Sequence, residues 1–157
     1  MELIKRKDRL NELDQIITRG KEMVGAGAYD IGKALKEVNE AELWREVQAD
    51  SFEQYANFAH GFKKTWAYGL INMAEDFSTQ LEKLPPASPT RLIQLHKFTT
   101  PANAEELYHM ALEVPAKAFD DNLRNMRGLK ATDDQHDHNW ESWEHCTECP
   151  AKRKVIK

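Results

Sequence analysis

Apolar residues recur every three or four positions along most of this chain. No stretch sustains the two-residue alternation of a strand, and none carries a hairpin turn signal. The pattern predicts an all-α, multi-helix array. Residues 2–24 read as one long polar helix in which Leu3, Leu10, Ile17 and Val24 recur at heptad spacing, with Leu13 beside Leu10. Arg6 and Gly20 occupy the complementary seam positions, so packing on the rest of the domain is expected ahead of a coiled-coil dimer contact. Gly25-Ala26-Gly27 breaks that helix. The segment 29–39 then places Ile31, Leu35 and Val38 on one face, and a short helix over 41–48 follows with Leu43, Trp44 and Val47, where Trp44 reads as core.

Residues 51–77, SFEQYANFAHGFKKTWAYGLINMAEDF, form the stretch around which the chain is organised. Asp50 or Ser51 can cap a first helix whose apolar stripe is Phe52, Tyr55, Phe58 and Ala59. His60-Gly61-Phe62 makes a tight turn, with Gly61 supplying positive φ where a Cβ would clash. A second helix starts near Lys63, with Ala67, Leu70, Ile71 and Ala74 inward and Lys63, Lys64, Thr65, Tyr68 and Asn72 outward; Trp66 is half exposed. A short helix, a glycine turn and a second helix with these polar groups suit a helix-turn-helix in a DNA major groove. A helical hairpin with merely solvated lysines is the plainer alternative.

Charge sharpens that picture. The chain holds 26 acidic residues, yet none lies between Gln54 and Ala74, where the only formal charges are Lys63 and Lys64. Those lysines stand where phosphate oxygens would be met as the helix enters the groove. The net charge of −4 confines any nucleic-acid site to a local patch.

Ile31, Gly32, Leu35, Leu43, Trp44, Phe52, Tyr55, Gly61, Phe62, Lys64, Thr65, Trp66, Ala67, Tyr68, Leu70 and Ile71 carry a resemblance. They match an "IG-x-x-L" helix, an "L-W/Y-R" segment, a "sFeeY" helix and a "G-F/L-S-[RK]-[ST]-Y-A-Y-x-L-I" helix. This region, about 28–127 and strongest over 31–75, resembles a helical DNA-binding module of plasmid, phage and integrative-element proteins. That module is similar to the helix-turn-helix part of ParB/KorB-like partition proteins. The resemblance implies sequence-specific DNA binding in partition, replication control or transcription of a mobile element. Two positions depart from it. Gly69 stands where Arg is frequent, which removes a base or phosphate contact and suggests close approach to something. Lys63 stands where a Ser cap is usual, which trades a hydroxyl acceptor for a cation.

Three prolines in LPPASPT, residues 84–90, mark an internal boundary. A short helix over 90–98 carries Leu92, Ile93, Leu95 and Phe98. Thr100-Pro101 reads as the cap and first residue of a helix bearing Leu107, Ala111 and Val114. Pro115 opens a last helix with Phe119, Leu123 and Met126, stopped by Gly128. The expected division is an N-terminal helix over 1–27, a helical domain over 28–128 and a tail or small appendage over 129–157.

The tail is acidic, then basic, ending in Lys152-Arg153-Lys154 and Lys157. Cys146-x-x-Cys149 is half of a zinc site, and His136 with His138 is the pair best placed to complete it; His145 adjoins Cys146 too closely. Structural zinc is therefore an expectation, against a disordered tail with reduced thiols. Redox or nuclease chemistry is disfavoured, since Glu144 and Glu148 oppose thiolate formation and no scaffold for a catalytic metal is evident.

At 41% hydrophobic and 31% charged residues the chain can build a core. No signal peptide or long apolar run is evident, so a soluble cytoplasmic protein with no membrane partner is expected. His60, His96 and His109 lie singly on helices and read as structural or surface residues, and no catalytic constellation is found. The expected function is non-enzymatic: a mobile-element protein that binds double-stranded DNA as a regulator or partition/replication accessory. Useful specificity would normally require a homodimer or tandem sites. The alternative is a helical protein-interaction module, such as a phage-encoded inhibitor or adaptor, which the acidic balance favours.

Overall fold

The computed structural model describes residues 2–22 and 27–129, with side chains from Lys5 to Lys21 in the first helix. Within them the chain is all-helical, as the periodicity predicts. The α-helices are α1 (Glu2–Glu22), α2 (Ala28–Glu40), α3 (Phe52–His60), α4 (Lys64–Asp76), α5 (Ser78–Lys83), α6 (Pro89–Leu95), α7 (Ala104–Glu113) and α8 (Ala116–Met126). Single 3-10 turns cover Leu43–Val47 and His96–Phe98. Met1–Phe119 forms one compact unit, and a second, Asp120–Lys157, begins inside α8. Cys146, Cys149, His136 and His138, with the zinc expectation they carry, lie outside the described residues.

The long first helix belongs to the first unit. Leu10, Leu13 and Ile17 are buried, and α1 packs on α2 and on the 3-10 turn after it. Two of its arginines are engaged inside the protein. Arg6 pairs with Glu46 at 2.7 Å and donates to the carbonyls of Ala41 and Glu42, while Arg9 grips both carboxylate oxygens of Glu37. Arg6 thus satisfies carbonyls at a helix end and fixes the turn that follows.

The most extensive helix pair is α2 with α4. Gly32 permits it: a Cβ there would lie 2.3 Å from the Leu70 carbonyl oxygen, so the two backbones approach where a side chain would separate them. Ile31, Leu35 and Val38 face inward as expected, against Ala67, Leu70, Ile71 and Ala74, which are likewise buried.

Several local expectations are corrected. The segment 41–48 is a 3-10 turn bracketed by two left-handed residues, Glu42 (φ 51°) and Gln48 (φ 57°), rather than a short α-helix. Its Trp44 is half-buried beneath the Arg45 guanidinium, 4.9 Å from the ring centroid, so Leu43 rather than Trp44 reaches the core. The helix expected to start at Pro101 begins at Ala104. Asn103 is the cause: its Oδ1 accepts from the Thr100 amide at 2.7 Å while its Nδ2 donates to the Phe98 carbonyl, which holds residues 100–103 as a turn. Val114 consequently caps α7 instead of lying on its inner face. Past the prolines, Tyr108 donates to the Pro85 carbonyl and accepts from the Ala87 amide, pinning the linker to α7.

Candidate nucleic-acid interface

The surface in question is built from α3, the turn Gly61-Phe62-Lys63 and α4. Ser51 caps α3 by accepting the Gln54 amide at 3.1 Å, which satisfies a donor the helix cannot. At the other end Gly61 is left-handed (φ 74°), with Gly61 N–H bonded to Asn57 O at 2.8 Å and Phe62 N–H to Ala56 O at 3.0 Å. The Gly61-to-Asn57 bond is the 5→1 closure of a left-handed glycine C-cap. A Cβ on Gly61 would meet no atom within 4 Å, so the glycine is required by backbone conformation, not by the clash expected.

The buried face of α3 differs from the expected stripe. Phe52 and Tyr55 are inside as predicted, but Ala56 and His60 join them, whereas Ala59 is exposed and Phe58 is 81% exposed. Six residues past Phe52, Phe58 falls about 240° round the helix and points away. His60 is buried by polar means. Its Nε2 lies 2.9 Å from Asp14 Oδ1 and 3.0 Å from the Tyr55 hydroxyl, which itself donates to Asp14. Burial raises the Asp14 pKa, but the hydrogen bonds from His60 and Tyr55 outweigh it and leave that carboxyl below its ordinary value. Desolvation, then the same carboxylate, pushes the Tyr55 phenol strongly upward.

The second helix opens at Lys63, which is extended (φ −70°, ψ 150°) and offers no side-chain cap. Lys63, Lys64, Thr65 and Trp66 are all exposed at its start. Beyond them Tyr68 and Asn72 lie on the same side but are half-buried. Tyr68 packs edge-on against Phe52, with centroids 5.4 Å apart, and its hydroxyl donates to Glu53 Oε1 at 3.3 Å. Lys64 pairs with the same oxygen at 3.0 Å, though its side chain stays 71% exposed. Glu53 is held below the usual carboxylate range by its own backbone amide first, then by Lys64. The lysine end of the acid-free window therefore acquires a carboxylate in space, from the residue just before it. Asn72 donates its amide toward His96 Nε2 at 3.1 Å, and His96 Nδ1 meets Asp76 Oδ2.

Gly69 faces inward. A Cβ on it would lie 2.8 Å from Ile93 Cγ2 on α6, which is the close approach its position in the helix suggested. A longer side chain there would meet α6, not the open face.

Lys21 is a neighbour that no local pattern announced. From the end of α1 it donates to the His60 carbonyl at 2.9 Å and lies 5.5 Å from the Phe62 ring centroid, which brings a third cation to the turn. Its only sequence signal was membership of the basic last turn of α1. Next to α3, Val47, Phe58 and Ala59 border an open cleft of about 400 Å³ with Asp14 at its edge.

Among the described residues, no group of three or more His, Cys, Asp or Glu could hold a metal ion, and no helix is long and apolar enough to cross a membrane. No family model matches the chain, nor does any curated protein or solved structure, so its helices and their exposed side chains are the ground for a functional reading.

Proposed function

We propose that this chain is a double-stranded DNA-binding protein of a mobile genetic element, serving as a transcription regulator or a partition/replication accessory. In this reading α3 and α4 act as a helix-turn-helix with α4 in the major groove. The observation that carries it is the opening of α4: Lys63, the last residue of the turn, and Lys64, Thr65 and Trp66, the first three of the helix, all face solvent. Lys63 and Lys64 contact phosphates; Thr65, Tyr68 and Asn72 meet base edges, and Trp66 packs on a sugar or a thymine methyl. The Lys64–Glu53 pair is compatible with this role, because exposed ion pairs are weak and salt-screened and phosphate can displace the carboxylate.

The test is duplex retention at rising salt. The wild type should bind at low salt, with affinity falling steeply as salt rises, and Lys63→Ala should weaken all sequences while lowering the salt slope by about one. Equal binding by the wild type and a Lys63/Lys64 double alanine variant overturns the reading.

One observation favours a second reading, a protein-interaction module. Phe58 is 81% exposed beside Val47 at the cleft that adjoins α3. A large apolar side chain left in water on a helix otherwise fixed at both ends suits a protein partner.

A further inference from the structure

We infer that Asn72 is an adenine-reading residue and that His96, which contacts no base, sets its orientation; this rests on the DNA-binding reading above. The starting point is a relay of three side chains from two elements. Asp76 closes α4, His96 opens the 3-10 turn after α6, and Asn72 lies one helical turn before Asp76. Asp76 Oδ2 meets His96 Nδ1, and His96 Nε2 lies 3.1 Å from Asn72 Nδ2.

The chemistry of the chain fixes its direction. A carboxylate only accepts hydrogen bonds, so Nδ1 of His96 carries the proton that Asp76 receives. At the other side of the ring Nε2 faces the amide nitrogen of Asn72, which can only donate, so Nε2 is the acceptor of that bond. A bare acceptor takes the amide nitrogen of Asn72 and rejects its oxygen. An asparagine free in solvent can present either end of its amide, but this one cannot turn over without setting Oδ1 against the Nε2 lone pair. Asn72 is thus left with its carbonyl oxygen and one N–H for an incoming group.

One acceptor and one donor on the same amide match adenine in the major groove, where N6–H₂ donates and N7 accepts. They do not match guanine, whose N7 and O6 both accept. Asn72 shares the outward side of α4 with Thr65 and Tyr68, at helical spacing. Close packing of α6 on α4 at Gly69 and Ile93 sets the relay's register, because the 3-10 turn that bears His96 continues from α6. His96 is a positioning residue: its effect on DNA passes through Asn72.

The experiment is selection from random duplexes by the full chain, scored base by base. Wild type should enrich a site with adenine at one position, and Asn72→Ala should lose about tenfold of preference at that position. His96→Leu should lose a similar amount at the same position, although it removes no group that touches DNA. His96→Gln should restore the preference, since a glutamine amide can donate to Asp76 and accept from Asn72. Thermal unfolding of each variant, with melting points near wild type, excludes misfolding as the cause.

Failure has three distinguishable forms. If wild type enriches a site but His96→Leu leaves base preferences unchanged, or blunts every position equally, the positioning role is overturned. If Asn72→Ala alters a position where wild type selects a base other than adenine, the adenine assignment is overturned. If wild type enriches no duplex at all, the DNA-binding reading itself falls, and the inference with it.

Discussion

Tyr55 on α3 donates its hydroxyl proton to the carboxylate of Asp14 on α1, and His60 closes the triangle from the last position of α3. The arrangement ties the first helix of the chain to the helix that precedes the turn, through the buried Tyr55 and His60 and the half-buried Asp14, each of them hydrogen-bonded. Such a cluster specifies one packing angle, because any other leaves a donor or a charge unpaired.

Replacing Tyr55 by Phe should destabilise the fold by about 1–3 kcal/mol at neutral pH, the usual range for a buried bond to a charged group. The loss should be pH-dependent. Asp14 has a folded pKa below 3.8, so its contribution is present above the unfolded value and disappears as pH falls through the folded one. Urea unfolding at pH 7 and near pH 3 should therefore show a larger wild-type-to-variant gap at the higher pH. An equal gap would mean that Asp14 does not draw its stabilisation from Tyr55.

Glu53→Gln should tighten DNA binding about threefold to tenfold at low salt, because it removes the one carboxylate paired with Lys64 and leaves the lysine free for phosphate. The gain should fade as salt rises. Salt-dependent affinity for a non-specific duplex measures it, and a decrease in affinity would show that Glu53 orients Lys64 instead of competing for it.

Phe58→Ser should leave stability within about 0.5 kcal/mol of wild type, since that ring is 81% exposed and loses almost no buried surface. Chemical denaturation decides the matter. A loss several times larger would place Phe58 under cover in solution, as an interface residue of the assembled protein.

Gly69→Arg should destabilise by about 2 kcal/mol or more through overpacking against Ile93, and should not add a DNA contact on the open face. Gly32→Ala should be comparably damaging, because there the obstacle is the Leu70 carbonyl, which cannot rotate aside. Unfolding curves for the two variants measure both effects; a Gly69→Arg protein of wild-type stability and raised DNA affinity would put residue 69 on the open face.

Much of this architecture was legible because it is periodic. The Leu10, Leu13 and Ile17 stripe, the inner row of α4, the Ser51 cap and the Gly61 turn all follow from spacing and local chemistry. What escaped has non-local causes. His60 goes inward only because Asp14 waits for it from another helix, and nothing near residue 60 encodes that. Counting acids from Gln54 missed Glu53 by one position, yet Glu53 sits against Lys64 across the turn. The tie between Asn72 and His96 spans a linker and a helix, so no motif scan of α4 reveals it. The short helix expected over 41–48 failed for a local reason, since non-glycine residues in the left-handed region leave no compositional trace.

The packing of α1 bears on how the molecule can be dissected. The glycines after residue 24 look like a natural place to cut, and a fragment starting there would keep α3, the turn and α4. It would also strip the cover from α2, remove the guanidinium that holds the loop carbonyls of Ala41 and Glu42, and leave His60 inside without the carboxylate it bonds. The shortest piece able to display α4 correctly must therefore begin with α1, which opens at Glu2, far ahead of the Lys64 where the supported helix starts.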